Sequence, residues 1–271
     1  MLKIAVLGAS GRMGQAVLEC ISETDDLSVV GAVTETADPA LGKDAGENIG
    51  LETLGVRLTD DRKLGLDDAE VAIDFTLPSA MIANVQACVD SGTALVIGTT
   101  GLEEKHLSVM DNASLEIPLV YSRNMSVGMS VFMNLIGRAA QGLGPDYDVE
   151  ISEAHHRDKV DAPSGTALAL GEEVAKAQGL KLEDIAIHER HGKTGPRVPG
   201  TIGFSVVRGG NIVGTHSVLF AASEESIEFS HHAVERKSFA RGAIKAARWT
   251  ASQVPGIYSM ADVLGLSQDS D

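Results

Sequence analysis

Leu2–Leu7 is a short apolar run that stops at Gly8 and gives way to a helical recurrence in which Met13, Ala16, Val17, Cys20 and Ile21 fall at i, i+3, i+4, i+7 and i+8. A strand, a glycine turn and a helix are expected there, the opening of a βαβ unit. Leu27–Val33 predicts a second strand, followed by the loop Glu35-Thr36-Ala37-Asp38-Pro39. Residues 40–66 are rich in Gly, Asp and Glu and lack a period apart from Val56-Arg57-Leu58, which predicts an irregular excursion with one short strand or helix. Periodicity returns with a buried strand at Val71–Thr76, a helix over about Ala80–Ser91, a strand at Ala94–Ile97, a helix over about Glu103–Asn112 and a strand at about Pro118–Tyr121. Strands alternating with helices predict a parallel sheet covered on both faces.

After Ser122–Ser126 the pattern changes. A long apolar helix (about Val127–Gln141) leads to a strand at Asp148–Ala154, a helix over about Thr166–Gln178, a polar segment His188–Gly200, and three closely spaced strand-like runs at Thr201–Val207, Ile212–Ala221 and Ser226–His232. Strands in succession with short turns predict an antiparallel or mixed sheet in a second domain. The tail, Phe239–Gln253, predicts a helix that packs back on the first domain. The expected division is 1–126 with 236–271 for one domain and 127–235 for the other.

At 271 residues, 44% hydrophobic and 22% charged, the chain has enough apolar content to build these cores and no signature of disorder. A net charge of −16 argues against nucleic acid as a partner, since phosphates require clustered Lys and Arg. It also makes any local concentration of positive charge more informative. No apolar run approaches the ~18 residues of a membrane span and no signal-peptide pattern opens the chain, so a cytoplasmic protein without a membrane partner is expected. Cys20 and Cys88 sit inside helical patterns and read as buried structural thiols.

Two stretches carry chemistry. Gly8-Ala9-Ser10-Gly11-Arg12-Met13-Gly14 lies between strand and helix, where glycines permit a tight turn and let the backbone approach a pyrophosphate. It is a variant fingerprint, with Ala9 where the strict pattern has glycine; a turn packed tightly for structural reasons is the alternative. Glu35, 21 residues beyond Gly14, stands where an acidic residue bonds the adenosine ribose. Followed by Thr36 rather than arginine, it favours NADH over NADPH, and Arg12 partly offsets this. Gly98-Thr99-Thr100 and Ser122-Arg123-Asn124-Met125 follow strands at the carboxyl edge of the sheet, where ligands bind, although turn chemistry alone accounts for either equally well.

The second stretch is Glu153–Thr166, EAHHRDKVDAPSGT. Basic side chains and the amides of a helix start converge on one loop, which suits a carboxylated or phosphorylated small molecule; a solvated basic loop with an ordinary N-cap at Ser164 is the alternative. His155, His156 and Lys159 do not make a metal site, because adjacent histidines project differently and no third ligand is placed. Histidine and lysine suit proton delivery instead. His231-His232 reads as structural, and His188–Arg197 as a mobile, solvated basic surface loop.

GASGRMG (Gly8–Gly14), IGTTG (Ile97–Gly101), EAHHRDKVDAPSGT (Glu153–Thr166) and VPGTIGF (Val198–Phe204) together resemble the dihydrodipicolinate reductases, also called 4-hydroxy-tetrahydrodipicolinate reductases, of lysine and diaminopimelate biosynthesis, over nearly the whole chain. The resemblance implies a Rossmann-like parallel-sheet domain plus an α+β substrate domain whose mixed sheet builds a homotetramer. It implies reduction of a cyclic hydroxy dicarboxylate, with loss of water, by NADH or NADPH. By the same resemblance His155 and Lys159 form the proton-donating pair, while His156, Lys159, Ser164, Gly165 and Thr166 bind the substrate carboxylates. Gly8–Gly14, Glu35, Gly98–Thr100 and Ser122–Met125 would line the cofactor. A semialdehyde dehydrogenase would need a reactive cysteine in a cleft, which neither Cys20 nor Cys88 offers. A non-catalytic nucleotide sensor would need neither His155 nor Lys159.

Overall fold

A computed structural model of the chain describes residues 1–267, in two compact units: Met1–Val127 together with the chain from Arg236 onward, and Gly128–Glu235. The first stretch runs β1 (Leu2–Leu7), α1 (Arg12–Ser22), β2 (Leu27–Val33), β3 (Leu58–Thr59), α2 (Arg62–Leu66), β4 (Val71–Asp74), α3 (Pro78–Ser91), β5 (Ala94–Ile97), α4 (Glu104–Ala113) and β6 (Pro118–Tyr121). Then come α5 (Val127–Leu143), β7 (Asp148–His155), α6 (Gly165–Ala177), α7 (Leu182–Ile185), β8 (Ala186–Ile187), β9 (Ile202–Arg208), β10 (Gly214–Ala221) and β11 (Ser226–Ala233). The chain returns through α8 (Lys237–Thr250), β12 (Gly256–Tyr258) and α9 (Met260–Val263).

In the first unit seven parallel strands lie in the order β12-β6-β5-β4-β1-β2-β3. Apolar runs suit such strands because both faces are covered. Successive side chains of β1 enter opposite cores: Ile4 and Val6 join Val17, Leu18, Ala243 and Ala247, whereas Ala5 and Leu7 join Met81, Val85 and Met110. Helix α8 lies against α1, tied by Lys237 to Glu19 (2.6 Å) and Glu23 (2.9 Å). The strand order reverses between β1 and β4, and every loop leaving a carboxyl end opens on the same edge of the sheet.

The excursion is richer than its composition predicts. Besides β3 it holds α2 and a 3-10 turn at Glu47–Ile49, where one element was expected. Asp44 organises it: its carboxylate accepts from the amides of Gly46, Glu47 and Leu54 at 2.8, 3.2 and 3.0 Å. Burial works against the charge, but those amides bring its pKa down to about 2. Strands β8 and β12 are too short to register as periodicity, and β10 starts at Gly214 rather than Ile212.

The second unit is built on a mixed five-stranded sheet, β11-β10-β7-β9-β8, antiparallel on one side of β7 and parallel on the other. Its inward row (Val149 and Ile151 of β7, Ile202 and Phe204 of β9, Val218 and Phe220 of β10) packs on Phe132 and Ile136 of α5 and Leu170 and Val174 of α6. Toward the end of β7 the same inward positions become Glu153 and His155, paired across β10 with His216 at the Glu153 register. The apolar row thus ends in a buried polar cluster.

His188–Pro196 is exposed, as expected of a solvated basic loop, but two arginines of the segment are held in place. Arg190 donates to Glu150 (2.6 and 2.7 Å), and Arg197 bonds Asp148 (3.0 Å), Glu150 and the Val149 carbonyl (2.8 Å), so both guanidiniums are anchored on β7. The path of Arg190 crosses Gly203, where a Cβ would lie 1.6 Å from its Nη2.

Candidate active site

In the first unit the glycine turn leaves β1 and opens α1. Gly8 holds φ +79°, and a Cβ on Gly14 would sit 2.1 Å from the Gly8 carbonyl oxygen, so the helix start lies hard against the turn. The N-cap is Gly11, which makes no side-chain capping bond, and Gly11 and Arg12 are exposed. Nothing but the Gly8 carbonyl lies within 4 Å of where a Gly11 Cβ would be, so the outer side of the turn is open for a phosphate to approach. Ala9 is buried, Ser10 and Met13 half-buried.

Beyond β2, Glu35 is exposed, while Asp38 is drawn onto the turn: its carboxylate accepts from Ser10 Oγ (2.5 Å), Thr34 Oγ1 (2.8 Å) and the Ala40 amide (2.7 Å). At the end of β4, the buried Asp74 carboxylate accepts from the Thr76 amide and hydroxyl (2.7 and 2.6 Å), Asn84 (3.0 Å) and Thr99 (3.3 Å). Burial raises its pKa against those donors. The Thr99 hydroxyl is therefore spent on holding loops together, leaving exposed Thr100 and half-buried Gly98 as that segment's outward face. Ser122 likewise closes its own turn through Asn124, and Met125 is core, so only Arg123 of that quartet is exposed.

In the second unit Glu153 is the hub. Its side chain is 1% exposed, and its oxygens accept from both Arg208 terminal nitrogens (2.8 Å each), the Ser164 amide (3.1 Å) and His155 Nδ1 (2.5 Å). Burial opposes the carboxylate's charge, but Arg208, His155 and Ser164 together hold its pKa below the usual range. An ionised carboxylate only accepts, so His155 carries its proton on Nδ1 and leaves Nε2 as the second functional atom. Burial also pushes the His155 imidazole below its usual pKa, outweighing Glu153. His155 is therefore neutral at pH 7, with a lone pair on Nε2.

His216 stands edge-on to His155 with ring centroids 5.1 Å apart, and its Nε2 meets Ser164 Oγ at 3.1 Å. Burial, then the neighbouring His155, lowers its pKa to about 4, so at pH 7 it is a neutral partner for Ser164. Ser164 Oγ also caps α6 by accepting from the Ala167 amide at 3.2 Å. Ser164 is thus consumed internally, by amide and hydroxyl alike. Gly165 and Thr166 form the first turn of α6, and His156, next after His155, is half-buried. Lys159 Nζ reaches both oxygens of Asp161 (2.8 and 2.9 Å). Asp161 is itself held ionised: burial raises its pKa, but Lys159 and nearby amides, Gly165 among them, lower it further. A carboxylate of the chain therefore sits between the ammonium and the helix start, the arrangement an incoming carboxylate needs.

Glu153, Arg208, His216, Asp161 and Asp38 escaped the sequence reading. Glu153 and Asp161 stood inside the quoted block without an assigned role. Arg208 and His216 carry no local signal, lying 55 residues from Glu153 and 52 from Ser164. Among the described residues no three His, Cys, Asp or Glu side chains are grouped to hold a metal ion, and no helix is long and apolar enough to cross a membrane.

Comparison with known proteins shows the family to which the chain belongs. A family model described as dihydrodipicolinate reductase, N-terminus, matches residues 2–125, and one described as dihydrodipicolinate reductase, C-terminus, matches residues 128–264. The 4-hydroxy-tetrahydrodipicolinate reductase of Alkalilimnicola ehrlichii is 50% identical over 97% of this chain and 99% of its own, and that of Burkholderia thailandensis 49% identical over 98% of each. A solved dipicolinate-bound dihydrodipicolinate reductase from Paenisporosarcina sp. TG-14, 20% identical and covering 97% of this chain and 98% of its own, superposes with a TM-score of 0.75 and shares the fold. The chain belongs to the dihydrodipicolinate reductase family.

Proposed function

We propose that the chain performs its family's reaction, reducing 4-hydroxy-tetrahydrodipicolinate to tetrahydrodipicolinate with NAD(P)H in lysine and diaminopimelate biosynthesis, and that its residues divide the work as follows. The single observation that carries this assignment is the Glu153–His155 dyad beside Lys159 and the start of α6, a proton-handling pair next to an anion-binding turn. The glycine turn, with its open outer side and uncapped helix start, fits a pyrophosphate; Gly98, Thr100 and Arg123 extend the same carboxyl edge. Bound there, the reduced nicotinamide supplies a hydride. The acidic segment after β2 disfavours a 2′-phosphate, so NADH is the preferred form.

Lys159 donates the proton. Hydride arriving at the conjugated imine that the hydroxy substrate becomes on losing water leaves negative charge on the ring, and the ammonium both stabilises that charge and supplies H⁺. His155, neutral and oriented by Glu153, offers a lone pair at Nε2 that accepts a hydrogen bond from a donor group of the substrate. Gly165, Thr166 and His156 receive a carboxylate of the substrate, which takes the place of Asp161 beside the ammonium; the dipicolinate in the solved relative is a dicarboxylate of this kind.

The outward face of the mixed sheet, with Ser205 and Val207 exposed, supports assembly as a homotetramer, checked by light scattering. A cytoplasmic location belongs to the same reading. The decisive assay follows oxidation of NADH and of NADPH with the condensation product of pyruvate and aspartate semialdehyde. Consumption of neither refutes the proposal and leaves the nucleotide sensor.

A further inference from the structure

Asp74 ends β4 fully buried, and no step of hydride or proton transfer uses its carboxylate. Its partners are all donors. Oδ1 accepts from the Thr76 amide (2.7 Å), the Thr76 hydroxyl (2.6 Å) and the Thr99 hydroxyl (3.3 Å), and Oδ2 from Asn84 Nδ2 (3.0 Å). A carboxylate satisfies all four, whereas an acid proton would face a donor. Asn84, also buried, accepts in turn from Arg62 Nε at 2.6 Å, so a cation stands two hydrogen bonds from the charge.

The cluster joins two loops. Thr76 lies in the loop after β4 and Thr99 in the loop after β5. The Gly98 amide donates to the Asp74 carbonyl (2.9 Å), and the Thr99 hydroxyl also reaches the Thr76 carbonyl (3.1 Å). Phe75 is packed into the same junction. A Cβ on Gly98 would lie 2.2 Å from Cε1 of its ring, and one on Gly8 would lie 3.3 Å from its carbonyl oxygen. The segment Asp74–Thr76 thus fills the space between the glycine turn and the Gly98–Thr100 loop. A dinucleotide with its pyrophosphate on the β1 turn and its adenosine toward β2 sends its nicotinamide over the ends of β4 and β5.

We infer that Asp74 is a positioning residue. Out of reach of any ligand, it fixes the loops after β4 and β5 against each other and so pre-forms the face that receives the nicotinamide half of the cofactor. Groups held in place beforehand bind without the cost of ordering them. The inference rests on the proposed nucleotide-binding role of the first unit.

Its test is equilibrium binding of NADH and of ADP-ribose, which lacks the nicotinamide, to the intact protein without substrate. Titration calorimetry compares wild type, Asp74→Asn, Thr99→Val and Thr99→Ser, each checked for a native melting transition. Wild type should bind NADH more tightly than ADP-ribose. Asp74→Asn turns an NH2 group toward one of the donors, and Thr99→Val cuts the tie to the β5 loop while leaving Asp74 its other three contacts. Both should weaken NADH by about tenfold, the worth of a hydrogen bond to a charged group, and ADP-ribose by less than about twofold. Thr99→Ser keeps the hydroxyl and should bind as wild type does.

Equal losses for the two ligands in Asp74→Asn and Thr99→Val, the mark of a merely structural role, overturn the inference. So does unchanged NADH binding in both variants, or a loss in Thr99→Ser as large as in Thr99→Val. Wild type binding neither ligand overturns the nucleotide-binding role, and the inference with it. Should Asp74→Asn fail to fold, Thr99→Val against Thr99→Ser decides the question alone.

Discussion

Glu153→Gln tests the centre of the proposed mechanism with minimal change of shape. The side chain is 1% exposed and all four of its polar contacts come from donors: two from Arg208, one from the Ser164 amide and one from His155 Nδ1. An amide replaces one acceptor oxygen by an NH2 group that faces those donors, so at least one contact becomes donor against donor and Arg208 loses its counter-charge. Breaking a buried ion pair costs roughly 3–5 kcal/mol. Arg208 is 19% exposed, and water recovers part of the loss, which puts the expected cost at about 3 kcal/mol. For a chain of this size that lowers the melting temperature by roughly 10 °C, readable by circular dichroism or calorimetry.

The catalytic effect is separate from the structural one. Without an anion at Nδ1 the imidazole loses the group that fixes its tautomer and raises its pKa, so kcat should fall by about 100-fold and any ionisation of His155 in the pH–rate profile should move to lower pH. NADH affinity should not change, because Glu153 belongs to the second unit and the glycine turn to the first. A folded Glu153→Gln protein with kcat within threefold of wild type would refute the dyad.

Lys159→Ala should cost turnover by roughly two to four orders of magnitude with NADH affinity preserved; single-turnover hydride transfer measures it, and near-normal turnover removes the lysine from the chemistry. Asp161→Asn should tighten binding of the dicarboxylate by about threefold, the worth of a half-exposed ion pair that no longer competes for Lys159; titration calorimetry would expose the reasoning as wrong if affinity fell. His216 should contribute to acid stability. With a folded pKa of about 4 against the usual 6.5, the folded state binds fewer protons than the unfolded one between those values, so stability declines as pH falls through that window, by about 3 kcal/mol in all. His216→Gln should flatten that part of the pH–stability curve measured by urea unfolding, and an unchanged slope would show that another group is responsible.

Much of this protein is legible in the order of its residues. The apolar runs and glycine turns of residues 2–121 announce an alternating parallel sheet because strand and helix periods are local properties, written within a dozen residues. The block from Glu153 to Thr166 could be picked out as the candidate site for the same reason: the histidines, the lysine and the cap of α6 lie close along the chain. The short strands β8 and β12 escaped because two or three residues carry no period. The anchoring of Arg190 and Arg197 escaped because Glu150 lies 40 and 47 residues away.

Tertiary structure decided which atoms of the block are available. The parallel register of β7 with β9 sets Arg208 opposite His155, and the antiparallel register with β10 sets His216 opposite Glu153. A slip of one residue in either pairing would turn those side chains to the other face of the sheet. From that register follow the Nδ1–H tautomer of His155 and the internal commitment of Ser164. The same holds at the glycine turn, where only folding brings Asp38 across 28 residues to Ser10. Composition and spacing determine which chemistry the chain carries, because they act locally; which charge faces the ligand depends on pairings between distant strands, which no local pattern encodes.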